Sequence, residues 1–132
     1  MATRDFNSYG GEGSAIFNSA QFIIQRLNIY INLAQSSAVR DNYVKWFKYL
    51  RRAYAEVRVW FTDEEMKKMN QNLKEINELL TKHIFLSRRA GYRPSPQLAL
   101  KLDEVDFMIR KVAQEKSMWM PIKREKGDII QA

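Results

Sequence analysis

The chain has 132 residues, of which 45% are hydrophobic, and this length is that of one domain able to bury its own core. It contains no cysteine, which excludes disulfides, thiolate metal sites and thiol nucleophiles. The formal net charge of +7 favours an acidic partner, such as nucleic acid, an anionic membrane or an acidic protein. Apolar runs are too short for a membrane-spanning helix, and we expect no signal peptide.

The N-terminal third of the chain predicts an arm followed by a long helix. Glycine at positions 10, 11 and 13 favours a flexible arm over residues 1–13. Apolar residues then recur at spacings of three and four, which predicts a helix over residues 14–35. The residues predicted to face the core are Ile16, Ala20, Ile23, Leu27, Tyr30 and Ala34.

This first helix has a second apolar stripe on its far side, made of Phe22, Ile29 and Leu33. Arg26 is its only charged residue. A surface helix of a monomer is expected to have one apolar face and a charged remainder. We therefore predict that the second stripe contacts another molecule. An amide band lies between the stripes and comprises Asn18, Gln21, Gln25, Asn28 and Asn32.

A second helix is predicted over residues 37–61, and its polar side is strongly basic. Six Lys and Arg residues meet only Asp41 and Glu56 there. Such a face can neutralise phosphates, and the alternative is an ordinary solvated surface. The cations are Lys45, Lys48 and Arg52, flanked by Arg40, Arg51 and Arg58. The predicted core residues are Val39, Tyr43, Trp46, Phe47, Leu50, Tyr54, Val57 and Phe61.

Two further helices are predicted over residues 63–90 and 96–119. Thr62 and Glu65 fit a capping box, with Phe61 and Met66 spaced as a hydrophobic staple. Gly91 is a natural terminator of the third helix, and a proline at position 96 suits the first position of the fourth. The predicted core residues are Met66, Met69, Leu73, Ile76, Leu80 and Ile84, then Leu98, Leu102, Val105, Ile109 and Val112.

The fourth helix carries a weaker second stripe at Leu100 and Phe107, which we also assign to a subunit interface. The connections between the predicted helices are short, and short connections favour antiparallel neighbours. The predicted fold is therefore all-α, an antiparallel four-helix bundle over residues 14–120 with a C-terminal tail at 121–132.

No pattern for catalysis or metal binding is found, so we predict a non-enzyme without a cofactor or metal. His83 is the single histidine, and a structural role competes with a functional one. Asp103, Glu104 and Asp106 form an acidic cluster, either a solvated face or a magnesium site. The segment RRAGYR at 88–93 is either a phosphate clamp or a charged helix end. Its three cations are Arg88, Arg89 and Arg93.

The order of these features resembles a protein family. A glycine-bearing arm (SYGGEGS, 8–14) leads into an amide-rich helix (17–35), a basic helix (VKWFKYLRRAYAEVR, 44–58) and two further helices. This order resembles the major coat proteins of filamentous viruses of hyperthermophilic archaea, of the lipothrixvirus type found in Acidianus filamentous viruses. The resemblance covers nearly the whole chain and is one of architecture.

The resemblance implies a structural capsid protein that stacks into a helical filament around linear double-stranded DNA held in the A form. Some members need a second, related coat protein, and some filaments carry a lipid envelope. The implied location is the virion, and the host cytoplasm during assembly. Two alternatives stay open: a small basic regulator that reads DNA sequence, and a helical protein-binding adaptor from a mobile element.

The family roles can be carried onto residues of this chain. The single charge of the first helix departs from what a DNA-facing helix is expected to carry, and it leaves open which helix makes most of the contacts. The arm and first helix would face DNA or other subunits through Arg4, Asn18, Gln21, Gln25, Arg26, Asn28 and Asn32. The second helix would neutralise phosphates through Lys45, Lys48, Arg51 and Arg52.

Overall fold

The computed structural model describes residues 12–117, with side chains described for residues 20–116. It contains four α-helices, which are α1 (Glu12–Val39), α2 (Tyr43–Val57), α3 (Asp63–Leu86) and α4 (Pro96–Ser117). A short 3-10 helix (Arg58–Trp60) follows α2, and no strand occurs within residues 12–117. The prediction of an all-α, four-helix fold is confirmed. Residues 1–11 of the predicted arm and the predicted tail lie outside the described residues, and residues 12 and 13 belong to α1.

The helices form two antiparallel pairs joined through α4. Between α1 and α2, Arg26 Nε donates to Glu56 Oε1 at 2.6 Å. These two residues lie at nearly equal distances before and after the connecting turn, as an antiparallel pair requires. Lys101 Nζ lies 2.6 Å from Glu75 Oε1 and bridges α3 and α4 in the same way. α4 also packs against α2, and one continuous core results.

The core largely follows the predicted stripes. All five residues predicted for α4 are buried, while Ile31 of α1 is buried without having been predicted. Two core predictions are wrong, because Val39 is 81% exposed and Ile84 is 47% exposed. The predicted Ile16 lies outside the described side chains. The largest fully buried side chains are Leu27, Leu50, Met69, Ile76, Leu98, Leu102, Ile109, Val57 and Val105.

The boundary between the first two helices lies a full turn later than predicted. Ser37 was expected to begin the second helix, but its Oγ donates to the Leu33 carbonyl at 2.9 Å and it stays within α1. Asn42 is the N-cap instead, since its Oδ1 accepts from the Lys45 N–H at 3.2 Å. Val39 consequently ends α1 rather than facing the core from α2. Asp41 turns the chain with a φ of 56°.

The ends of α3 and α4 follow their sequence signals closely. Thr62 Oγ1 accepts from the Glu65 N–H, and Glu65 Oε1 accepts from the Thr62 N–H, so the predicted capping box is confirmed. α3 ends at Leu86 rather than 90, and Gly91 has a φ of 78° in the loop that follows. Pro96 is the first residue of α4, as predicted. The predicted end of α4 at 119 lies outside the described residues, the last of which, Ser117, is helical.

Candidate nucleic-acid interface

The basic face of α2 is held outward by the core on its other side. Trp46 and Leu50 are buried, and they fix the rotation of the helix about its axis. Lys45 and Arg52 are exposed and Lys48 is half-buried on the opposite side. At about 100° per residue, these three cations fall within roughly 60° of one another. We call Lys45, Lys48 and Arg52 the basic face.

The cations of α2 are not neutralised by neighbouring acids. Within residues 20–116, Lys45, Lys48, Arg51 and Arg52 form no ion pair with a carboxylate. The Lys48 ammonium lies 5.4 Å from the Tyr49 ring centroid, and the Arg51 guanidinium lies 4.9 Å from that of Phe47. The charged ends of these two side chains therefore lie over aromatic rings, at distances typical of cation–π contacts.

Arg26 differs from the other predicted DNA-binding cations. It is ion-paired with Glu56 across the α1–α2 contact, and half of its side chain is exposed. Its charge is thus balanced inside the subunit. Of the amide band, Gln21, Gln25 and Asn32 are exposed and Asn28 is half-buried. Arg4 and the Asn18 side chain lie outside the described part of the chain.

The arginines after α3 are anchored through a cluster of rings. Arg88, Arg89 and Arg93 are exposed, and Arg89 lies 5.8 Å from the Phe85 ring centroid. His83 Nδ1 lies 3.0 Å from the Tyr92 hydroxyl, and the His83 ring meets Tyr43 of α2 edge-on at 5.1 Å. These contacts account for His83 as a packing and hydrogen-bonding group within the bundle.

The predicted cations fall on two surfaces. Tyr43, to which the arginine loop is anchored, lies roughly opposite Lys45 around the axis of α2. The loop is therefore anchored on a different side of α2 from the basic face. Arg40 lies in the turn before α2, and it lines a cavity of about 180 Å³ together with Lys45. Arg58 lies in the 3-10 helix at the other end.

Both predicted outer stripes are exposed. On α1, Phe22 and Ile29 are each 56% exposed and Leu33 is 39% exposed. On α4, Leu100 is 64% and Phe107 66% exposed. We call these the α1 stripe and the α4 stripe. Phe85 is also exposed and was not among the residues predicted to face outward, although its place just before Arg88 and Arg89 is visible in the sequence.

The acidic cluster of α4 is engaged in ion pairs. Asp106 pairs with Arg110, and Glu104 lies 3.8 Å from Lys101. Asp103 and Asp106 line a groove of about 450 Å³ between α4 and the α1–α2 turn, and Phe107 forms part of its wall. Among the described residues, no group of three or more His, Cys, Asp or Glu is placed to hold a metal ion.

An ion pair that shifts the pKa of both partners joins α3 to α4. The hydrogen bond from Lys101 is the main cause that lowers the pKa of Glu75 below its usual 4.5, and Gln71 adds a second hydrogen bond. The same Glu75 contact raises the pKa of Lys101 above 10.5. This pair lies in the contact between the two helices, away from the basic face of α2.

Across the described residues, no helix is both long enough and apolar enough to span a bilayer. Comparison of the chain with protein families, with curated proteins and with solved structures found no match.

Proposed function

We propose that this protein is a structural coat subunit that assembles into a helical filament and packages linear double-stranded DNA through phosphate contacts. The observation that carries the proposal is the basic face of α2, whose cations have no carboxylate partner within residues 20–116. The exposed α1 and α4 stripes support the assembly part, because contiguous exposed apolar surface marks a site of protein contact.

The spacing of the basic face supports contact with a phosphate backbone. α2 rises about 1.5 Å per residue, so Lys45 and Arg52 lie about 10 Å apart along its axis. Phosphates of one strand recur about every 3.4 Å along the axis of duplex DNA, so that distance is long enough for more than one phosphate contact. Phosphate contacts position a protein on DNA without reading sequence. The proposed binding is therefore insensitive to sequence, as packaging of a whole genome requires.

The remaining parts of the proposal come from the resemblance. The duplex would be held in the A form, the filament would form the virion, and assembly would take place in the host cytoplasm. A second related coat protein and a lipid envelope are further expected partners. A regulator that reads DNA sequence is expected to form a closed dimer, for which one apolar surface is enough. Two exposed stripes on different helices favour an open assembly, which is why we prefer the coat protein.

The phosphate contacts are tested by the salt dependence of DNA binding. We expect the affinity of the full-length protein for linear duplexes of unrelated sequence to be equal and to fall steeply between 50 and 200 mM salt, roughly as for other phosphate binders. The double variant Lys45→Gln/Arg52→Gln should reduce the slope of log K against log salt by about 2. Fluorescence anisotropy with labelled duplexes measures both quantities.

The matched control replaces two exposed lysines on α3, Lys67→Gln/Lys68→Gln, and has the same change in net charge. Its slope should stay close to that of the wild type. Equal salt slopes for the two double variants would show that the basic face does not contact the phosphates.

The assembly part is tested by electron microscopy of the protein mixed with linear duplex DNA at low salt. Long filaments are expected. One discrete footprint amid unprotected DNA would favour the sequence-reading regulator instead. Capture of a single acidic protein, unaffected by nuclease, would favour the adaptor.

A further inference from the structure

We propose that the α1 stripe of one copy docks on the α4 stripe of the next copy, so that subunits join head to tail. This inference rests on the proposed function and deepens it, since it names the surfaces that make the filament. The occupant of each stripe is a second copy of this chain, and the matching of spacing and charge between the stripes identifies it.

The two stripes match in spacing. Phe22 and Ile29 are seven residues apart on α1, and Leu100 and Phe107 are seven residues apart on α4. At about 1.5 Å per residue, each pair spans roughly 10 Å along its helix. Two helices laid side by side can therefore bring both pairs of large side chains into contact at once, as helix packing through i and i+7 positions requires.

The charges inside the stripes are complementary. On α1, Arg26 lies between Phe22 and Ile29, and half of its side chain is exposed although it pairs with Glu56. On α4, Asp103 and Glu104 lie between Leu100 and Phe107, and both are exposed. Docking α1 on α4 therefore brings the exposed part of Arg26 next to carboxylates at the centre of the contact, where Glu104 also lies 3.8 Å from Lys101.

Pairing of like stripes is disfavoured by the same charges. An antiparallel α1–α1 contact centred on its stripe would place two copies of Arg26 against each other. An antiparallel α4–α4 contact would place Asp103 and Glu104 against their own copies. Opposed like charges weaken an interface. Arg26 and Glu104 each have a partner within the subunit, but both remain partly exposed, so the contact in which they face opposite charges is favoured over the symmetric ones.

The surface around Phe107 offers recesses for large side chains. On one side lies the groove of about 450 Å³ whose lining includes Trp46 and Asp103. On the other side, Phe107 also lines a groove of about 500 Å³ between α3 and α4 that includes Met108. Phe22 of a second copy can fill such a recess, and the acidic rim of the first groove suits a stripe that carries Arg26.

A contact between two different surfaces leaves one of each free at the ends of every assembly. Subunits then add without limit unless the rotation between them closes a ring. A filament needs this kind of contact, whereas pairing of like surfaces would stop at a dimer.

A mixing experiment without DNA tests the contact. Phe22→Gln/Ile29→Gln blocks the α1 stripe, and Leu100→Gln/Phe107→Gln blocks the α4 stripe. All four residues are exposed, so the monomer fold should persist, as circular dichroism can check. In sedimentation velocity, we expect wild-type mass to rise with concentration past the dimer, and each variant alone to remain monomeric.

The decisive sample is the equimolar mixture of the two variants. Each variant keeps the stripe that the other lacks, so the mixture should give a heterodimer and nothing larger. The control Val44→Gln/Val59→Gln changes exposed valines outside both stripes and should assemble as the wild type does. Dimers formed by either variant alone, unchanged assembly of both variants, or a wild type that stays monomeric would each overturn the head-to-tail contact.

The outcome separates this inference from the proposed function. Both stripe variants retain the basic face of α2, so their DNA binding should keep the wild-type salt slope. Failure of the mixing experiment with that slope intact rejects only the docking of α1 on α4. If the wild-type protein shows no salt-dependent, sequence-independent binding to DNA, the proposed function itself is rejected.

Discussion

At the residue scale, the Thr62–Glu65 box shows how a few side-chain atoms define a helix end. Each residue accepts a backbone N–H from the other, at 3.1 Å and 2.9 Å. Two N–H groups that the helix cannot satisfy itself are thereby bonded. The box fixes where α3 begins, and so where the chain leaves the α1–α2 pair.

Replacing the cap residue should cost stability. Thr62→Ala removes the side-chain oxygen that accepts from Glu65 N–H, and we expect a loss of about 1 kcal/mol in the free energy of unfolding. Urea denaturation followed by circular dichroism measures it. The matched control is Thr81→Ala on the same helix, because the Thr81 hydroxyl donates to the Asn77 carbonyl within the helix. An equal loss in both variants would contradict the role of the cap.

Residue chemistry also explains where sequence reasoning misplaced a helix end. Serine and asparagine can both cap a helix, and both can bond to the backbone elsewhere. Ser37 bonds back to Leu33 and leaves α1 unbroken, whereas Asn42 caps α2. Both patterns fit the sequence, and only the packing of α1 on α2 selects between them.

At the element scale, the ion pair of Glu75 and Lys101 links α3 to α4. Lys101 Nζ also lies 3.5 Å from Oδ1 of Asn72, which is buried between the two helices. The hydrogen bond from Lys101 lowers the pKa of Glu75, and its counterpart raises the pKa of Lys101. The link is strongest where both groups are charged.

The stability that this pair supplies should depend on pH. Because the pKa of folded Glu75 is below its usual 4.5, its contribution is complete above about pH 4.5 and is lost as pH falls through the lowered pKa. Because the pKa of folded Lys101 is above 10.5, its contribution is complete below that pH and is lost as pH rises through the raised value.

The variant Lys101→Gln measures this dependence. The difference in urea midpoint between wild type and variant should be largest between about pH 5 and pH 10, and should shrink below pH 4.5. Lys111→Gln, an exposed lysine on the same helix, should give a small difference at every pH. A difference for Lys101→Gln that persists unchanged in acid would contradict the pairing.

Helix periodicity predicted most of each element, and its failures lie at helix ends. The five core residues of α4 were all predicted correctly because α2 and α3 both run along that helix. Ile84 fits the period of α3 but lies in its last turn, level with the start of α4, where no helix covers it. Periodicity gives the direction of a side chain, while the length of the neighbouring helix determines whether that side chain is buried.

At the scale of the whole molecule, leucines of the same chain lie in two different environments, the buried core and the exposed surface. Leu50 of α2 is fully buried, whereas Leu100 of α4 is 64% exposed. Burying a leucine removes its apolar area from water and fills core volume, so its loss leaves a cavity. An exposed leucine removes little apolar area from water and fills no core volume, so it contributes little to the stability of the folded monomer.

This contrast gives a direct test of the division between core and stripe. Leu50→Ala should lower the free energy of unfolding by about 2–5 kcal/mol. Leu100→Ala should change it by less than about 0.5 kcal/mol when measured at a concentration where the protein is monomeric. Thermal or urea unfolding measures both, and a large loss for Leu100→Ala would place that residue in the core.

The candidate site could be predicted residue by residue but not as a surface. The exposure of Phe22, Ile29 and Phe107 followed from helical period alone. The pairing of Arg26 with Glu56 did not, since it depends on how α1 and α2 are set against each other. The anchoring of the arginine loop on a different side of α2 from the basic face has the same cause, because periodicity carries no information on distances between helices.

The ring cluster at His83 affects how the loop arginines would bind a polyanion. His83 joins Tyr92 of the arginine loop to Tyr43 of α2, and so the loop is ordered as part of the folded bundle. A ligand usually has to offset the entropy of ordering the segment that holds it. Here the contacts of Tyr92 hold the loop against the bundle in the folded protein, so an anion that bound its exposed arginines would have less of that cost to offset.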